Sequence, residues 1–246
     1  MAKRAAIVTG ASSGIGLAIA RMLGEEGYAL TLAARRPDKL SAAAQELRDD
    51  GLELQDVPAD VSSEEAIQQV VAAHRDRYGR CDVLVNNAGI GIGAPVGEIA
   101  TKRLDTQLDV NLRAMIIFYR EAMDMLGAAG AEHRNALVVN TASIAGKRGQ
   151  AWLSVYSATK AGVIGFTEAM NKELSGQGIK SCALCPGFVD TAMTDFVKGQ
   201  VAPEEMIQPG DIAEAVRFLL RLSPACIVPE LLFARPDESF RERRLA

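Results

Sequence analysis

Short apolar runs alternate with longer helical patterns along most of this chain, and this alternation constrains the fold more than any other feature. Strands are predicted from the apolar runs at 5–8, 28–33, 52–58, 83–85, 136–139 and 179–184. Helices are predicted from the patterns at 14–26, 38–50, 64–78, 101–126 and 154–174. Such alternation is typical of βαβ units, and nearly all-apolar strands indicate a sheet covered on both faces. We therefore predict an α/β fold with a doubly wound parallel sheet.

The domain organisation follows from length and from the lack of any linker or low-complexity stretch. A chain of 246 residues suits one α/β domain with a substantial core, so residues 1–246 are predicted to form a single domain. Residues 187–209 form the longest segment without a clear strand. Because loops at the carboxyl ends of parallel strands line the ligand crevice, this segment is a candidate substrate lid.

Composition narrows the possible partners. The formal charge is −4, from 27 basic and 31 acidic residues, and a slightly acidic chain without a basic block is a poor candidate for nucleic-acid binding. No apolar run is long enough to span a membrane. Cys182 and Cys185 have the spacing of a redox or metal pair, but they lie in a predicted buried strand, which favours core thiols. Free thiols are typical of a reducing compartment, so we expect a cytoplasmic protein.

A glycine-rich loop at residues 9–16 follows the first predicted strand and opens the first predicted helix. Glycines let the backbone turn sharply and approach a pyrophosphate closely, and a helix N-terminus favours phosphate groups. A glycine turn with a purely structural role is the alternative. The position of the loop in a βαβ unit favours a dinucleotide site in a Rossmann-type domain. Its expected contacts are Gly10, Ser12, Ser13, Gly14, Ile15 and Gly16.

The residues after the second predicted strand bear on the choice of dinucleotide. A site for NAD usually carries an acidic residue there to hold the ribose 2′-hydroxyl, whereas this chain has Arg35 and Arg36 and no acid before Asp38. A guanidinium is planar and permanently charged, so Arg35 is the better candidate to bind a 2′-phosphate. Arg36 could stack on adenine or face water. This pattern favours NADP(H), with a solvated basic turn as the alternative.

Tyr156 and Lys160 lie four residues apart in a predicted helix and therefore share one face. A nearby positive charge favours the phenolate and lowers the pKa of a tyrosine, so the pair can act as one acid/base. A surface contact between the two side chains is the alternative when the pair is taken alone.

Taken together, these features resemble the short-chain dehydrogenase/reductase family, in its single-domain, NADP-type branch, from about residue 3 to about residue 222. The residues that carry the resemblance are the loop at 9–16, Asn86-Asn87-Ala88-Gly89, Asn111, Ser143, Tyr156 with Lys160, and Pro186-Gly187.

The resemblance implies a role for each catalytic position. Tyr156 would donate a proton in carbonyl reduction and accept one in alcohol oxidation. Lys160 would lower the Tyr156 pKa and bind the nicotinamide ribose. Ser143 would hydrogen-bond the substrate oxygen, and Asn111 would hold a water that links Lys160 to solvent. The remaining cofactor contacts that it implies are Asp60, Val61, Asn87, Ala88, Gly89, Pro186, Gly187, Val189 and Thr191.

The C-terminal region departs from the family pattern, because no Asp-Gly-Gly follows the last expected strand at 230–234. Family tetramers often use this region for an interface, so a homodimer is as open as a homotetramer. A helix pair built on residues 154–174 could form through Ala158, Gly162, Gly165 and Ala169. The same small residues could instead pack on the sheet.

A mostly apolar pocket wall is expected to contain Ile144, Trp152, Phe188 and Met193, each of which could equally be core. It predicts a ketone, aldehyde or alcohol with a hydrophobic body. A 3-oxoacyl thioester, a steroid and a small ketone stay open. No metal is required by this chemistry, and a serine-hydrolase role for Ser143 is disfavoured because His133 precedes the opposite end of its strand. The alternatives are an NAD-dependent alcohol dehydrogenase of the same family and a dinucleotide-binding sensor with vestigial catalysis.

Overall fold

The computed structural model describes residues 3–199 and 201–236, which contain seven strands and seven α-helices. The strands are β1 (Ala5–Thr9), β2 (Ala29–Ala34), β3 (Leu54–Pro58), β4 (Val83–Asn86), β5 (Ala136–Thr141), β6 (Ile179–Pro186) and β7 (Glu230–Phe233). The helices are α1 (Gly14–Glu25), α2 (Pro37–Asp49), α3 (Glu64–Tyr78), α4 (Thr101–Leu108), α5 (Ala114–His133), α6 (Ser154–Leu174) and α7 (Pro209–Arg221).

The seven strands form one parallel sheet in the order β3-β2-β1-β4-β5-β6-β7, so the predicted doubly wound fold is confirmed. The order reverses between β1 and β4, since the chain runs outward from β1 to β3 and then returns to the other side of β1. Such a switch point leaves a crevice at the carboxyl ends of the two strands, where ligands bind in open α/β sheets.

Both faces of the sheet are covered by helices, which explains why most strand residues are apolar. One layer packs α1, α2 and α7 on the sheet through residues such as Ile19, Leu40 and Val216. The other packs α3 and α5 through residues such as Ile67 and Phe118. Strands buried on both sides cannot alternate polar and apolar residues, and β1, β2, β4 and β6 are buried along their whole length.

The helical region after β4 differs from the single helix predicted at 101–126. A π-helical turn at Asp109–Arg113 separates α4 from α5, and α5 continues to His133. A π turn inserts one residue into a helix and often marks a functional site. Here it contains Asn111.

Helix α7 is absent from the predicted helices, although its signals are present in the sequence. Pro209 occupies its first turn, and Gln208 and Asp211 form a capping box. Its buried residues Ile212, Val216 and Leu219 have helical spacing. Strand β7 is present at the place expected for the last strand and pairs with β6 from Ala183 to Pro186.

The cysteines of the sheet are free thiols, as expected: Cys182 and Cys185 are buried, and burial raises the pKa of each to about 12. Among the described residues, no helix is long and apolar enough to cross a membrane.

Candidate active site

The glycine loop between β1 and α1 is shaped by close backbone contacts. Gly10 and Gly14 have φ values of +65° and +57°, in the left-handed region that favours glycine. A Cβ on Gly16 would lie 2.3 Å from the carbonyl oxygen of Gly10. The loop therefore folds back on the start of α1, and only a glycine at position 16 permits this close approach. Ile15, the residue before it, is half-buried.

The N-terminus of α1 has donors to offer a phosphate. Ser13 is the extended N-cap, and its hydroxyl makes no capping hydrogen bond. No side-chain hydrogen bond of Ser12 or Ser13 occurs within residues 3–199 and 201–236, so both hydroxyls are uncommitted in the part of the chain described. Free N–H groups, two free hydroxyls and a tight glycine turn are the donor set that a pyrophosphate requires, so these residues fit a dinucleotide.

Thr9, at the end of β1, organises the neighbouring loop and was missed by sequence reasoning. Its Oγ1 accepts the backbone N–H groups of Asn87 and Ala88, each at 3.0 Å, and donates to the carbonyl of Val85. The Asn87 side-chain amide donates to the Thr9 carbonyl at 3.2 Å. These contacts hold the Asn87-Ala88-Gly89 segment beside the glycine loop, where the resemblance places it. The sequence signal that could have identified Thr9 is a threonine at the end of the first strand, next to the first glycine of the loop.

Two arginines follow β2 at the same edge of the sheet. Arg35 and Arg36 are exposed, and neither takes part in an ion pair or side-chain hydrogen bond among the described residues. By contrast, Arg48 in the neighbouring helix α2 forms an ion pair with Asp56. After the neighbouring strand β3, Asp60 accepts hydrogen bonds from the backbone and hydroxyl of Ser62. Val61 is buried beside it.

Tyr156 and Lys160 lie in the first two turns of α6, and both face the carboxyl end of β5. The Lys160 ammonium donates to the backbone carbonyl of Thr141 at 2.7 Å. The same nitrogen lies 5.6 Å from the centroid of the Tyr156 ring. Lys160 is buried, and Tyr156 is half-buried. The two side chains therefore share a face of α6, as the four-residue spacing predicts.

Ser143 follows β5 and is the N-cap of a short 3₁₀ helix, Ile144–Gly146. Its Oγ accepts the N–H of Ala145 at 3.1 Å and makes only a long contact, 3.4 Å, to the carbonyl of Pro186. The oxygen is thus fixed in place, its proton is engaged only by the long contact with Pro186, and its side chain also interacts with that of Tyr156.

Burial is the largest influence on the pKa values of Lys160 and Tyr156. It lowers the pKa of Lys160 to about 8 and raises the pKa of Tyr156, an effect that interaction with the Ser143 side chain opposes. The expected lowering of the Tyr156 pKa is therefore not found. The physical reason is that the Lys160 ammonium is bonded to Thr141 and lies over the tyrosine ring, so desolvation of the phenol outweighs the field of the cation.

Asn111, in the π turn, clamps the loop after β4. Its Oδ1 accepts the N–H of Ile90 and its Nδ2 donates to the carbonyl of Ile90, both at 2.8 Å. Nδ2 also contacts Thr159 Oγ1 at 3.3 Å. The side chain is thus fully engaged in holding this loop and Thr159 to the π turn.

The loop after β6 contacts the glycine loop. A Cβ on Gly14 would lie 2.9 Å from Thr191 Cγ2. Gly187 donates its N–H to the carbonyl of Phe233 after β6, and buried Val189 forms a bridge with Ile207. Pro186 ends β6. The predicted cofactor contacts of this segment therefore lie next to those of α1.

The four predicted pocket residues differ in exposure. Ile144 is half-buried, whereas the side chains of Trp152 and Met193 are 56% and 47% exposed. Phe188 is half-buried, with its ring 6.5 Å from that of Phe196 in an edge-to-face arrangement. Core packing is therefore excluded for Trp152 and Met193.

The position of His133 bears on the serine-hydrolase alternative for Ser143. His133 donates to Asp82, before β4, at the end of the sheet opposite Ser143. Within residues 3–199 and 201–236, no group of three or more His, Cys, Asp or Glu residues could hold a metal ion.

Comparison with known proteins agrees with this arrangement. The sequence model of the short chain dehydrogenase family matches residues 4–201. A Streptomyces coelicolor protein named as a ketoacyl reductase is 38% identical, with 92% of this chain and 94% of that protein covered. The chain belongs to the short-chain dehydrogenase family.

Solved structures show the same relationship. An actinorhodin polyketide ketoreductase variant with NADPH has a TM-score of 0.86 and 36% identity, covering 96% of this chain and 98% of that one. The alcohol dehydrogenase of the archaeon Thermococcus sibiricus, complexed with 5-hydroxy-NADP, has a TM-score of 0.84 and 32% identity, covering 95% and 99%.

Proposed function

We propose that this protein is an NADPH-dependent ketoreductase that reduces the ketone of a 3-oxoacyl thioester to an alcohol, with Tyr156 as the proton donor. The observation that carries the proposal is the convergence of Asn111, Ser143, Tyr156 and Lys160 at one sheet edge, beside a glycine loop with uncommitted donors. A protein that only binds a dinucleotide has no use for all four groups. The substrate class is favoured by relatives named as ketoacyl reductases and by the exposed apolar side chains near the site.

Each residue of the proposed site has a separate role in the reaction. NADPH, when bound, supplies a hydride to the carbonyl carbon. Tyr156 transfers its phenolic proton to the carbonyl oxygen, and Ser143 donates a hydrogen bond that stabilises negative charge developing there. Lys160 stabilises the phenolate that remains, and a proton from solvent restores the phenol. The segment at 187–209 would close over the substrate as a lid.

The choice of NADPH depends on Arg35, whose guanidinium follows β2 and makes no ion pair with the residues that the structure describes. We expect Arg35→Ala to weaken NADPH binding far more than NADH binding, because only NADPH carries a 2′-phosphate. Thermal stabilisation by the two nucleotides measures this directly, since a ligand at a hundred times its Kd stabilises the folded state by about 2.7 kcal/mol. Lys39→Ala, at an exposed position in α2, is the matched control. Equal losses for both nucleotides would favour an NAD-dependent dehydrogenase.

The decisive test of the activity is Tyr156→Phe, which removes one oxygen and keeps the ring. We expect the variant to bind NADPH with unchanged thermal stabilisation and to lose turnover of a 3-oxoacyl thioester by at least about 100-fold. Full turnover by the variant would overturn the assignment of Tyr156. Nucleotide binding with no reduction of any ketone by the wild type would favour the sensor alternative.

We further infer that the chain forms a homodimer or homotetramer through α6. Ala158 and Gly165 are exposed there, and a Cβ on Gly165 would meet nothing within 4 Å, whereas Gly162 packs on Leu112. Light scattering of the wild type and of Gly165→Arg tests this, and a monomeric wild type would contradict it.

A further inference from the structure

The loop after β4 is held at every second residue. Ile90 is bonded to Asn111 as described above, the N–H of Ile92 donates to Gln107 Oε1 at 3.1 Å, and the N–H of Ala94 donates to the carbonyl of Trp152 at 2.8 Å. Gln107 is fully buried, so its carbonyl is a fixed anchor. The loop is therefore a rigid element, although it has no regular secondary structure.

The residues between these anchors are glycines that lie against aromatic rings. A Cβ on Gly91 would lie 3.9 Å from the edge of the Tyr156 ring. A Cβ on Gly93 would lie 2.2 to 2.5 Å from three carbons of the Trp152 indole, inside the space that the ring occupies. Gly91 and Gly93 are at most about 7 Å apart, so the indole and the phenol that is proposed to donate the proton lie against the same short stretch of this loop.

The backbone of Trp152 is itself unusual. Its φ is +69°, a value that is rare for a bulky aromatic residue and that persists only where the surroundings impose it. The hydrogen bond from Ala94 to its carbonyl is one such constraint, and the lack of a side chain at Gly93 leaves the indole the room that it occupies. Strain of this kind is concentrated at binding sites, and the indole is held over Gly93 while more than half of its surface stays exposed.

We propose that Gly93 and Trp152 act as a pair that determines which ketones the site accepts. Gly93 provides the space for the indole, and the indole forms a fixed apolar wall of the substrate pocket next to Tyr156. This inference rests on the proposed reductase function and specifies the residues that select its substrate. An acyl chain with an apolar body would pack on the exposed ring face, and removal of the ring would enlarge the pocket.

Trp152 is the single tryptophan of the chain, so tryptophan emission reports on this side chain alone. We would compare acrylamide quenching of wild type, Gly93→Ala and Gly97→Ala. Gly97 lies in the same loop region, and a Cβ there would meet nothing within 4 Å, which makes it the matched control. We expect a larger quenching constant in Gly93→Ala only, because the added methyl displaces the ring from the loop.

Substrate selection is measured as the ratio of kcat/KM for a long-chain and a short-chain 3-oxoacyl thioester of N-acetylcysteamine. We expect Trp152→Gly, which also relieves the φ strain, to shift this ratio toward the longer chain by about tenfold or more. Gly93→Ala should shift it in the same direction, and Gly93→Ala added to Trp152→Gly should cause no further change. NADPH-induced thermal stabilisation should stay at the wild-type level in each variant and shows that each is folded.

The outcomes separate this inference from the proposed function. A wild type that binds NADPH and reduces no ketone overturns both. A wild type that reduces both thioesters, with an unchanged ratio in Gly93→Ala and Trp152→Gly, overturns the inference alone. Unchanged quenching in Gly93→Ala would also overturn it, because the indole would then not depend on the glycine.

Discussion

The ammonium of Lys160 donates a hydrogen bond to the backbone carbonyl of Thr141 at 2.7 Å. Thr141 is the last residue of β5, and Ser143 follows two residues later. The bond therefore ties the acid/base pair of α6 to the strand that carries the substrate-binding hydroxyl. A buried ammonium with one backbone partner is poorly solvated, which accounts for its lowered pKa.

We expect Lys160→Met to reduce kcat/KM for ketone reduction by at least about 100-fold, because the phenolate of Tyr156 then has no cation to stabilise it. The change is measured from initial rates at saturating NADPH. Lys172→Met, at an exposed position on the same helix, is the control and should keep wild-type activity. Retention of activity by Lys160→Met would remove the lysine from the proposed mechanism.

Thr9 is expected to stabilise both the fold and the cofactor site, since its hydroxyl is the shared acceptor for two backbone N–H groups. Thr9→Val keeps the shape and leaves Asn87 and Ala88 without this acceptor. We expect a loss of about 1–3 kcal/mol in the free energy of unfolding, together with weaker NADPH binding. Urea denaturation and nucleotide titration measure the two effects. Thr9→Ser retains the hydroxyl and should lie close to wild type; equal losses in both variants would contradict the role of the hydrogen bonds.

Gly16→Ala tests the shape of the phosphate loop. The new Cβ would lie 2.3 Å from a backbone oxygen that has no room to move, so we expect loss of NADPH-induced thermal stabilisation and a lower melting temperature. Gly127→Ala is the matched control, because a Cβ at that position in α5 meets nothing within 4 Å. A helix-interior change from glycine to alanine should stabilise the protein by up to about 1 kcal/mol. A normal nucleotide response in Gly16→Ala would show that the loop tolerates a side chain.

The fold was predictable because its signals are local. Apolar runs of strand length and helical periodicity locate six of the seven strands, and the glycine loop marks the end of β1. Asn111, Ser143, Tyr156 and Lys160 were predicted as a set through the family resemblance, because the motifs that carry it are contiguous in sequence or lie at recognisable places. Helix α7 was missed since its start lies within a segment interpreted as a lid.

The hydrogen bonds that position these groups could not be predicted in the same way. The contact of Lys160 with Thr141 depends on how far α6 lies from β5, and the contact of Thr9 with Asn87 depends on the register of β1 against β4. The pKa of Tyr156 depends on burial that only the packed structure shows. The contact between Gly93 and Trp152 joins two loops that lie 59 residues apart in the sequence, and no local sequence pattern indicates it.

His74 gives the protein a defined sensitivity to acid. It is fully buried in α3, where its Nε2 lies 2.8 Å from the carbonyl of Arg80 and its Nδ1 lies 2.7 Å from Thr31 Oγ1. Burial lowers its pKa from 6.5 to about 4, so the native state holds the neutral ring while the unfolded chain binds a proton below pH 6.5. The contribution of the neutral His74 ring to the free energy of unfolding is therefore fully present above pH 6.5 and is lost progressively as the pH drops toward 4.

We expect wild type to lose about 3 kcal/mol of unfolding free energy from this one group across that window. His74→Gln should be less stable than wild type at neutral pH and should lack this part of the pH dependence. Denaturant titrations at a series of pH values compare the slopes, and carboxylates affect both proteins alike, so the difference isolates the histidine. Parallel curves for wild type and His74→Gln would show that His74 is protonated in the fold without cost.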